Sequence, residues 1–246
     1  MASFMRYGIF ADVHSNLEAL DTVVAAYKKE SIDVYLCVGD VVGYGANPKE
    51  CIEKVRSLAM VTVAGNHDWA AVNLFSAETF NPFAKTAILW TKQQLSDTDK
   101  DFLETLKLVY KNECLTLVHG TLDNPRDFDY MADGYIAEES FRRTETSVCF
   151  IGHSHIAGTF IKEDNDRISY RLYSSFGIKP EHKYIVNVGS VGQPRDANPK
   201  AAYCIFDTEK KEVQIRRVEF DTKSARRKII DAGLQAFLGD RLLLGK

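Results

Sequence analysis

The run Tyr7-Gly8-Ile9-Phe10-Ala11-Asp12-Val13-His14 sets the pattern by which the rest of the chain is read. A short apolar stretch, with the composition of a buried strand, runs straight into a carboxylate and an imidazole. The same arrangement recurs along the chain. Val34-Tyr35-Leu36-Cys37-Val38 leads to Gly39-Asp40, and Met60-Val61-Thr62-Val63-Ala64 leads to Gly65-Asn66-His67-Asp68. Leu115-Thr116-Leu117-Val118 leads to His119-Gly120, and Val148-Cys149-Phe150-Ile151 leads to Gly152-His153-Ser154-His155. Open α/β sheets hold their ligands at the C-terminal ends of strands. The clusters therefore mark the expected site, and they carry nitrogen and oxygen donors enough for two metal ions.

Working outward, the first third alternates strand and helix. Strands are expected at 6–11, 33–38 and 60–64. Asn16 can cap a helix that carries Leu17, Leu20, Val23, Val24 and Tyr27 on one face. Pro48 suits the first turn of a second helix, burying Ile52, Val55 and Leu58. A βαβαβ order implies a parallel sheet with right-handed crossovers. Residues 69–107 read as a helical insert, with Ser96 an N-cap and Asp97 and Asp99 in the first turn. The insert brings Trp69, Phe75, Phe80, Phe83 and Trp90. A packed helical cap is the favoured reading; an aromatic wall able to stack a base is the alternative. After residue 108 the pattern is mostly β, with strands near 115–118, 148–151, 157–162, 168–173, 184–188, 202–207 and 213–218. A hairpin turn is expected at Glu163-Asp164-Asn165-Asp166. A last helix is expected from Thr222 to Leu238, capped by Asp221, with Ile229, Ile230, Leu234, Phe237 and Leu238 toward the core and Arg226, Arg227 and Lys228 in solvent.

Residues 1–246 are long enough for a single α/β domain, with the helical cap at about 69–107 as its insert. A net charge of -3 supplies no basic field to draw nucleic acid, and a nuclease gains no support. The five cysteines are scattered, with no pair at ligand spacing, so a reduced, cytoplasmic protein without disulfides is expected. No long apolar run precedes Asp12 and none reaches transmembrane length, so neither signal peptide nor membrane contact is expected.

In extended backbone, residues two apart point the same way. Asp12 and His14 can therefore grip one ion together, and His153 and His155 share that spacing at the end of another strand. Gly39, Gly65 and Gly152 each immediately precede a candidate ligand, where glycine allows close approach of the backbone. Two ions roughly 3.5–4 Å apart need a bridging carboxylate. Asp40, following the middle strand of the βαβαβ unit, is the expected bridge. Mixed His, Asp and Asn ligation suits manganese, iron or zinc better than calcium or magnesium. Taken singly the clusters are weak: Asp-x-His can be a cap and a loop histidine, and Asn-His an ordinary turn. Jointly, each after a strand, they point to a metal centre. His182 lies outside the pattern and reads as a surface histidine.

From Asp12 to about Arg195 the order of motifs (D-x-H, G-D, G-N-H-D, a later histidine, G-H-x-H) resembles the calcineurin-like metallophosphoesterase superfamily. The resemblance implies an α/β fold of two packed, mostly parallel or mixed sheets flanked by helices, a four-layer αββα sandwich. It implies that Asp12, His14 and His155 hold one metal, that Asn66, His119 and His153 hold another, and that Asp40 bridges them. His67 would protonate the leaving-group oxygen, or stabilise the transferred phosphoryl as imidazolium, a role that needs no large pKa shift in a histidine. Asp68 would support the catalytic set from behind, or be a simple turn residue. The implied reaction is attack of metal-bound hydroxide on phosphorus, with no covalent intermediate. Protein phosphatases of the superfamily read G-D-x-V-D-R-G where this chain has Gly39-Asp40-Val41-Val42-Gly43-Tyr44-Gly45. The missing arginine argues against that activity and against symmetric dinucleotide hydrolases. Residues 40–48 and 187–195 instead look like a bacterial and archaeal branch similar to phosphodiesterases and asymmetric diadenosine-tetraphosphate hydrolases. The expected substrate is a small nucleotide-type phosphodiester or phosphoanhydride. A phosphomonoester, or a non-catalytic scaffold on the same fold, is the alternative. Arg195 is the candidate for holding phosphate, the rival being a loop arginine paired with Asp196. Asn16 could hydrogen-bond phosphate or simply cap its helix; Tyr44 could contact substrate or pack. The oligomeric state is open.

Overall fold

The fold is described from a computed structural model covering residues 4–246. Strands β1 (Arg6–Phe10), β2 (Val34–Cys37) and β3 (Val61–Thr62) lie parallel with β2 in the middle. The helices between them are α1 (Leu17–Tyr27) and α2 (Pro48–Leu58). Asn16 caps α1, its Oδ1 accepting from the Ala19 amide at 3.1 Å, and Pro48 opens α2. The chain then runs through α3 (Asn66–Ala71), α4 (Pro82–Gln94) and α5 (Asp97–Thr105). Ser96 caps α5 as expected, and Asp99 closes a capping box with it. The helical insert begins at Asn66 and not at 69, so three candidate site residues, Asn66, His67 and Asp68, sit in a helix's first turn.

The remaining strands are β4 (Val109–Lys111), β5 (Thr116–Val118), β6 (Val148–Ile151), β7 (Gly158–Lys162), β8 (Ile168–Arg171), β9 (Ser175–Gly177), β10 (Lys183–Asn187), β11 (Ala201–Asp207) and β12 (Glu212–Val218). They complete two six-stranded sheets, ordered β3-β2-β1-β11-β12-β9 and β4-β5-β6-β10-β7-β8. Antiparallel pairings outnumber parallel ones six to four, so the sheets are mixed and not mostly parallel. The parallel pairings form two blocks, β1-β2-β3 and β5-β6-β10, and every site cluster follows a strand in one of them.

Strand alternation builds the layers. Tyr7, Ile9 and Ala11, with Phe206 from the neighbouring strand of the same sheet, face Leu117, Phe150 and Val186 between the sheets, whereas Phe10 turns outward against α1 and its neighbours. On the far side, Val118, Cys149, Ile151 and Ile185 pack against Ala137 and Phe141 of α6 (Gly134–Arg143). Fully burying such an aliphatic or Phe side chain contributes about 1.5–3 kcal/mol. The result is two sheets between helical layers.

The sequence pattern missed α6, β4 and β9, and it misjudged the last helix. That helix ends as α7 (Thr222–Asp231), and the chain resumes as α8 (Ala236–Asp240). Gly233, in left-handed backbone at φ 75°, ends it. The break leaves Ile229, Leu234 and Leu238 buried, but Ile230 and Phe237 exposed. Nor is the basic stripe merely solvated: Lys228 pairs with Glu18 and Arg226 with Asp240. Among the described residues, no helix is long and apolar enough to cross a membrane.

Candidate metal centre

The chain leaves β1, β2 and β6 through tight turns that aim their side chains at one point. Asp12, His14, Asp40, His153 and His155 all adopt left-handed backbone, with φ between 48° and 69°. This corrects the expectation that the Asp12/His14 and His153/His155 pairs act from extended strands: both pairs lie past the strand ends. Left-handed backbone at a non-glycine residue costs on the order of 1 kcal/mol and persists where surrounding bonds enforce it. Here the amides of Asp12, His14 and Ser15 donate to the carbonyls of Gly39, Asp40 and Val41, zipping the two turns together. The Asp12 carboxylate accepts from the His153 amide, and Asp40 Oδ1 accepts from the His67 amide. A Cβ on Gly65 would fall 2.6 Å from Asp40 Cγ, and one on Gly152 2.6 Å from Asp12 Oδ2. The glycines before these ligands are thus required for close approach.

The donors converge. His14 Nε2 lies 3.6 Å from Asp40 Oδ2, and His119 Nε2 lies 3.3 Å from the same oxygen. His155 Nε2 is 3.4 Å from Asp12 Oδ1 and 3.0 Å from His14 Nε2. Asp12, His14, Asp40 and His155 form one buried group of potential ligands, and Asp40, His119 and His153 form another. Asp40 is the shared member. The opposite ring nitrogens are already committed. Nδ1 of His14, His119 and His155 lies 3.0, 2.7 and 2.6 Å from the carbonyls of Val42, Val38 and Gln193. Donation from Nδ1 fixes the tautomer and leaves the Nε2 lone pair facing the cluster.

Electrostatics agree with a cation-binding role. Burial pulls His14 and His155 well below the usual histidine range and His153 down to about 3, so these rings are neutral, the form in which an imidazole can bind a metal. Burial also pushes Asp12 up to about 8, with Asp40 adding to the effect. Burial opposes the charge on His119, yet Asp40 and Asp12 push it up to about 9. Two buried carboxylates this close call for positive charge between them. Asn66 Oδ1 and His119 Nε2 are both buried without a hydrogen-bond partner. An orphaned carbonyl oxygen and an orphaned imidazole nitrogen beside such carboxylates fit a divalent cation.

Around the cluster lies a cavity of about 310 Å³. Asn66, His67 and His153 line it together with Tyr44, Phe75, Phe80, Phe128 and Tyr130. The His67 ring sits between Tyr44 and Phe80, each with its ring centroid 4.6 Å away. Burial holds His67 down at about 4 against the opposing pull of Asp40, so its expected titration near neutrality is corrected to a neutral imidazole. Of the insert aromatics, Phe75 and Phe80 wall the cavity, while Trp69 is buried, Phe83 meets Phe237 at a tilt and Trp90 packs against the cluster that α4 and α7 build together. Phe128 and Tyr130 have no sequence signal of their own; they come from the loop after His119.

The other candidates divide. Asp68 turns from the cavity and accepts from the amides of Val41, Val42 and Gly65, so it braces the Asp40 turn. Asn16 has both ends engaged, capping α1 and donating to the Gly192 carbonyl at 2.8 Å, which favours the capping reading. Arg195 does not pair with Asp196, which is held by Arg217 instead. The Arg195 guanidinium donates to Gln193 Oε1 at 2.7 Å and lies over the Tyr44 ring. Tyr44 is buried and touches the His14 and His67 rings, so it packs and lines the site at once. His182 is half-buried, away from these residues beside Tyr184.

Comparison with known proteins adds four likenesses. A family profile described as the calcineurin-like phosphoesterase superfamily domain matches residues 5–211. An uncharacterised protein of Methanocaldococcus jannaschii is 38% identical over 243 residues, 97% of each chain. The crystal structure of a metallophosphoesterase from Sphaerobacter thermophilus is 34% identical, with a TM-score of 0.88 over 99% of this chain and 100% of that one. A hypothetical protein from Pyrococcus horikoshii, at 18% identity and a TM-score of 0.78 over 98% of each chain, shares the fold.

Proposed function

Because the chain belongs to the calcineurin-like phosphoesterase superfamily and is a metal-dependent phosphoesterase, we propose that it works with two cations and cleaves a phosphodiester or phosphoanhydride bond of a small, nucleotide-type substrate. One observation carries this: two buried donor groups meet at a single shared carboxylate, Asp40. Asp12, His14 and His155 would hold the first cation, Asn66, His119 and His153 the second. Manganese, iron or zinc suits this mixture of imidazole, carboxylate and amide oxygen. When bound, such a pair lowers the pKa of water and neutralises charge on a phosphoryl group.

The chain's own residues supply the rest. His67, in the cavity wall, is assigned the leaving-group oxygen: neutral in the free protein, its ring takes up a proton from solvent when an anionic phosphoryl group binds beside it, and as imidazolium it gives that proton to the oxygen as it gains charge, returning to the neutral ring. Tyr44 and Phe80 hold the ring in place from either side. Asp68 is a positioning residue, acting through the backbone that presents Asp40. Arg195 is assigned a substrate phosphate oxygen, since no carboxylate among the described residues pairs with it. Phe75, Phe80, Phe128 and Tyr130 offer ring faces to a base. The five cysteines are free thiols, which supports a reducing, cytoplasmic setting. The test is a substrate panel with manganese-loaded protein: bis-p-nitrophenyl phosphate, p-nitrophenyl phosphate and diadenosine tetraphosphate. Turnover of the diester or the dinucleotide above the monoester is expected. A preference for the monoester would overturn the substrate assignment.

A further inference from the structure

A second and larger recess, about 620 Å³, opens on the other side of Tyr130. Tyr130 lines both spaces and stacks on the ligand His153, with ring centroids 4.0 Å apart and planes 21° from parallel. The recess also reaches Ser154, between the two histidines of the Gly-His-Ser-His turn. Its walls are apolar: Met131, Ile151, Ile156, Phe160, Tyr170 and Leu172. Ile156, Tyr170 and Leu172 are exposed, Leu172 by 73%. No Lys, Arg or His lines the recess, and its one charged residue, Asp133, caps α6 through Oδ1. Asn187 is already engaged: Nδ2 donates to the Gly152 carbonyl and Ser154 Oγ, and Oδ1 accepts from Gly189. A polyphosphate or a second sugar would find little to bind there; a hydrocarbon arm would find a continuous wall.

We propose that this recess holds an apolar ester arm of the substrate, carried past Tyr130 while the phosphate remains by the histidines. The preferred substrate is then a phosphodiester with one alkyl or aryl substituent, not a polyphosphate. This rests on the phosphoesterase reading and narrows it. Adjacency to the cavity of the candidate site, with Tyr130 as a shared wall, singles out a substrate arm as the occupant over a second copy of the chain.

The test is titration calorimetry of manganese-loaded protein with n-alkylphosphonates from methyl to octyl. These present one anionic head and one apolar arm. Affinity is expected to rise about three- to fourfold per added methylene until the recess is filled. The substitutions Ile156→Asp and Leu172→Asp should flatten that dependence, with melting temperatures confirming that both variants fold. Three results would overturn the proposal: affinity independent of chain length, a dependence that survives both substitutions, or a dimer of the native protein that either substitution dissociates. The last would make the recess a self-association face. Because calorimetry needs no turnover, failure of every ester in the substrate panel would strike the functional assignment and leave this measurement readable.

Discussion

His67 carries the acid role in the proposed chemistry, and it is separable from the donors. Its amide steadies Asp40, but its ring contacts Tyr44 and Phe80 and takes no place in either donor group. Replacing it with alanine should lower kcat by about 100-fold or more, while metal content by elemental analysis stays at the native level. Undiminished turnover would remove it from the mechanism. Asp40→Asn is the opposite case. It leaves a side chain of the same shape but removes the charge common to both groups, so both metals should be lost together. Full occupancy in that variant would refute the bridge. The residue types of this centre were legible because each cluster is short and follows its own strand. The contacts that tune it were not. Nothing in Asp12-Val13-His14 announces left-handed backbone, since that conformation is imposed by the turn at Gly39–Val41. The bond between Asp196 and Arg217 joins residues far apart in sequence, so Arg195 could not be known to be released from its neighbour. Gly43 shows the converse. It stands where the protein phosphatase pattern has aspartate, and a Cβ there would lie 3.1 Å from His67 Cγ.

At the scale of elements, the strands matter most for how they end. β1, β2 and β3 in one sheet, and β5 and β6 in the other, deliver their turns to one rim because both blocks are parallel. Helix α1 holds β1 in place from beneath. Tyr27 at its end is fully buried, with its hydroxyl shared between the carbonyls of Ile9 at 2.9 Å and Cys204 at 3.0 Å. These two residues face each other across β1 and β11. Tyr27→Phe keeps the ring and removes only that bond. It should destabilise the protein by about 1–2 kcal/mol, lowering the melting temperature by roughly 2–8 °C. An unchanged midpoint would show the hydroxyl to be idle. The helices were readable where caps announce them, as at Asn16, Pro48 and Ser96. Helix α6 went unread because Gly134 opens it and a polar loop precedes it; only its cap, Asp133, gave a signal. Strands β4 and β9 are three residues each, too short for a period of two to register.

At the scale of the whole molecule, the two sheets meet over an apolar layer and again at the metal centre, where Asp12 and Asp40 from one sheet face His119 and His153 from the other. A cation bound only by the folded chain adds about 2.7 kcal/mol at a hundred times its Kd. For a chain this long that is roughly 5–10 °C per site. Treatment with a chelator should therefore lower the melting temperature by at least that much, and added manganese should restore it. A melting curve indifferent to both would argue against occupancy of the centre. The order of the donors along the chain has one more consequence. The loop between β5 and α6, which carries Tyr130, separates Asp12 through His119 from His153 and His155. Were a protease to nick that loop, neither fragment would own a complete coordination shell. With the pieces still paired through β5 and β6, turnover should persist; once they are separated in denaturant it should vanish, and return only through complementation when the two are mixed again.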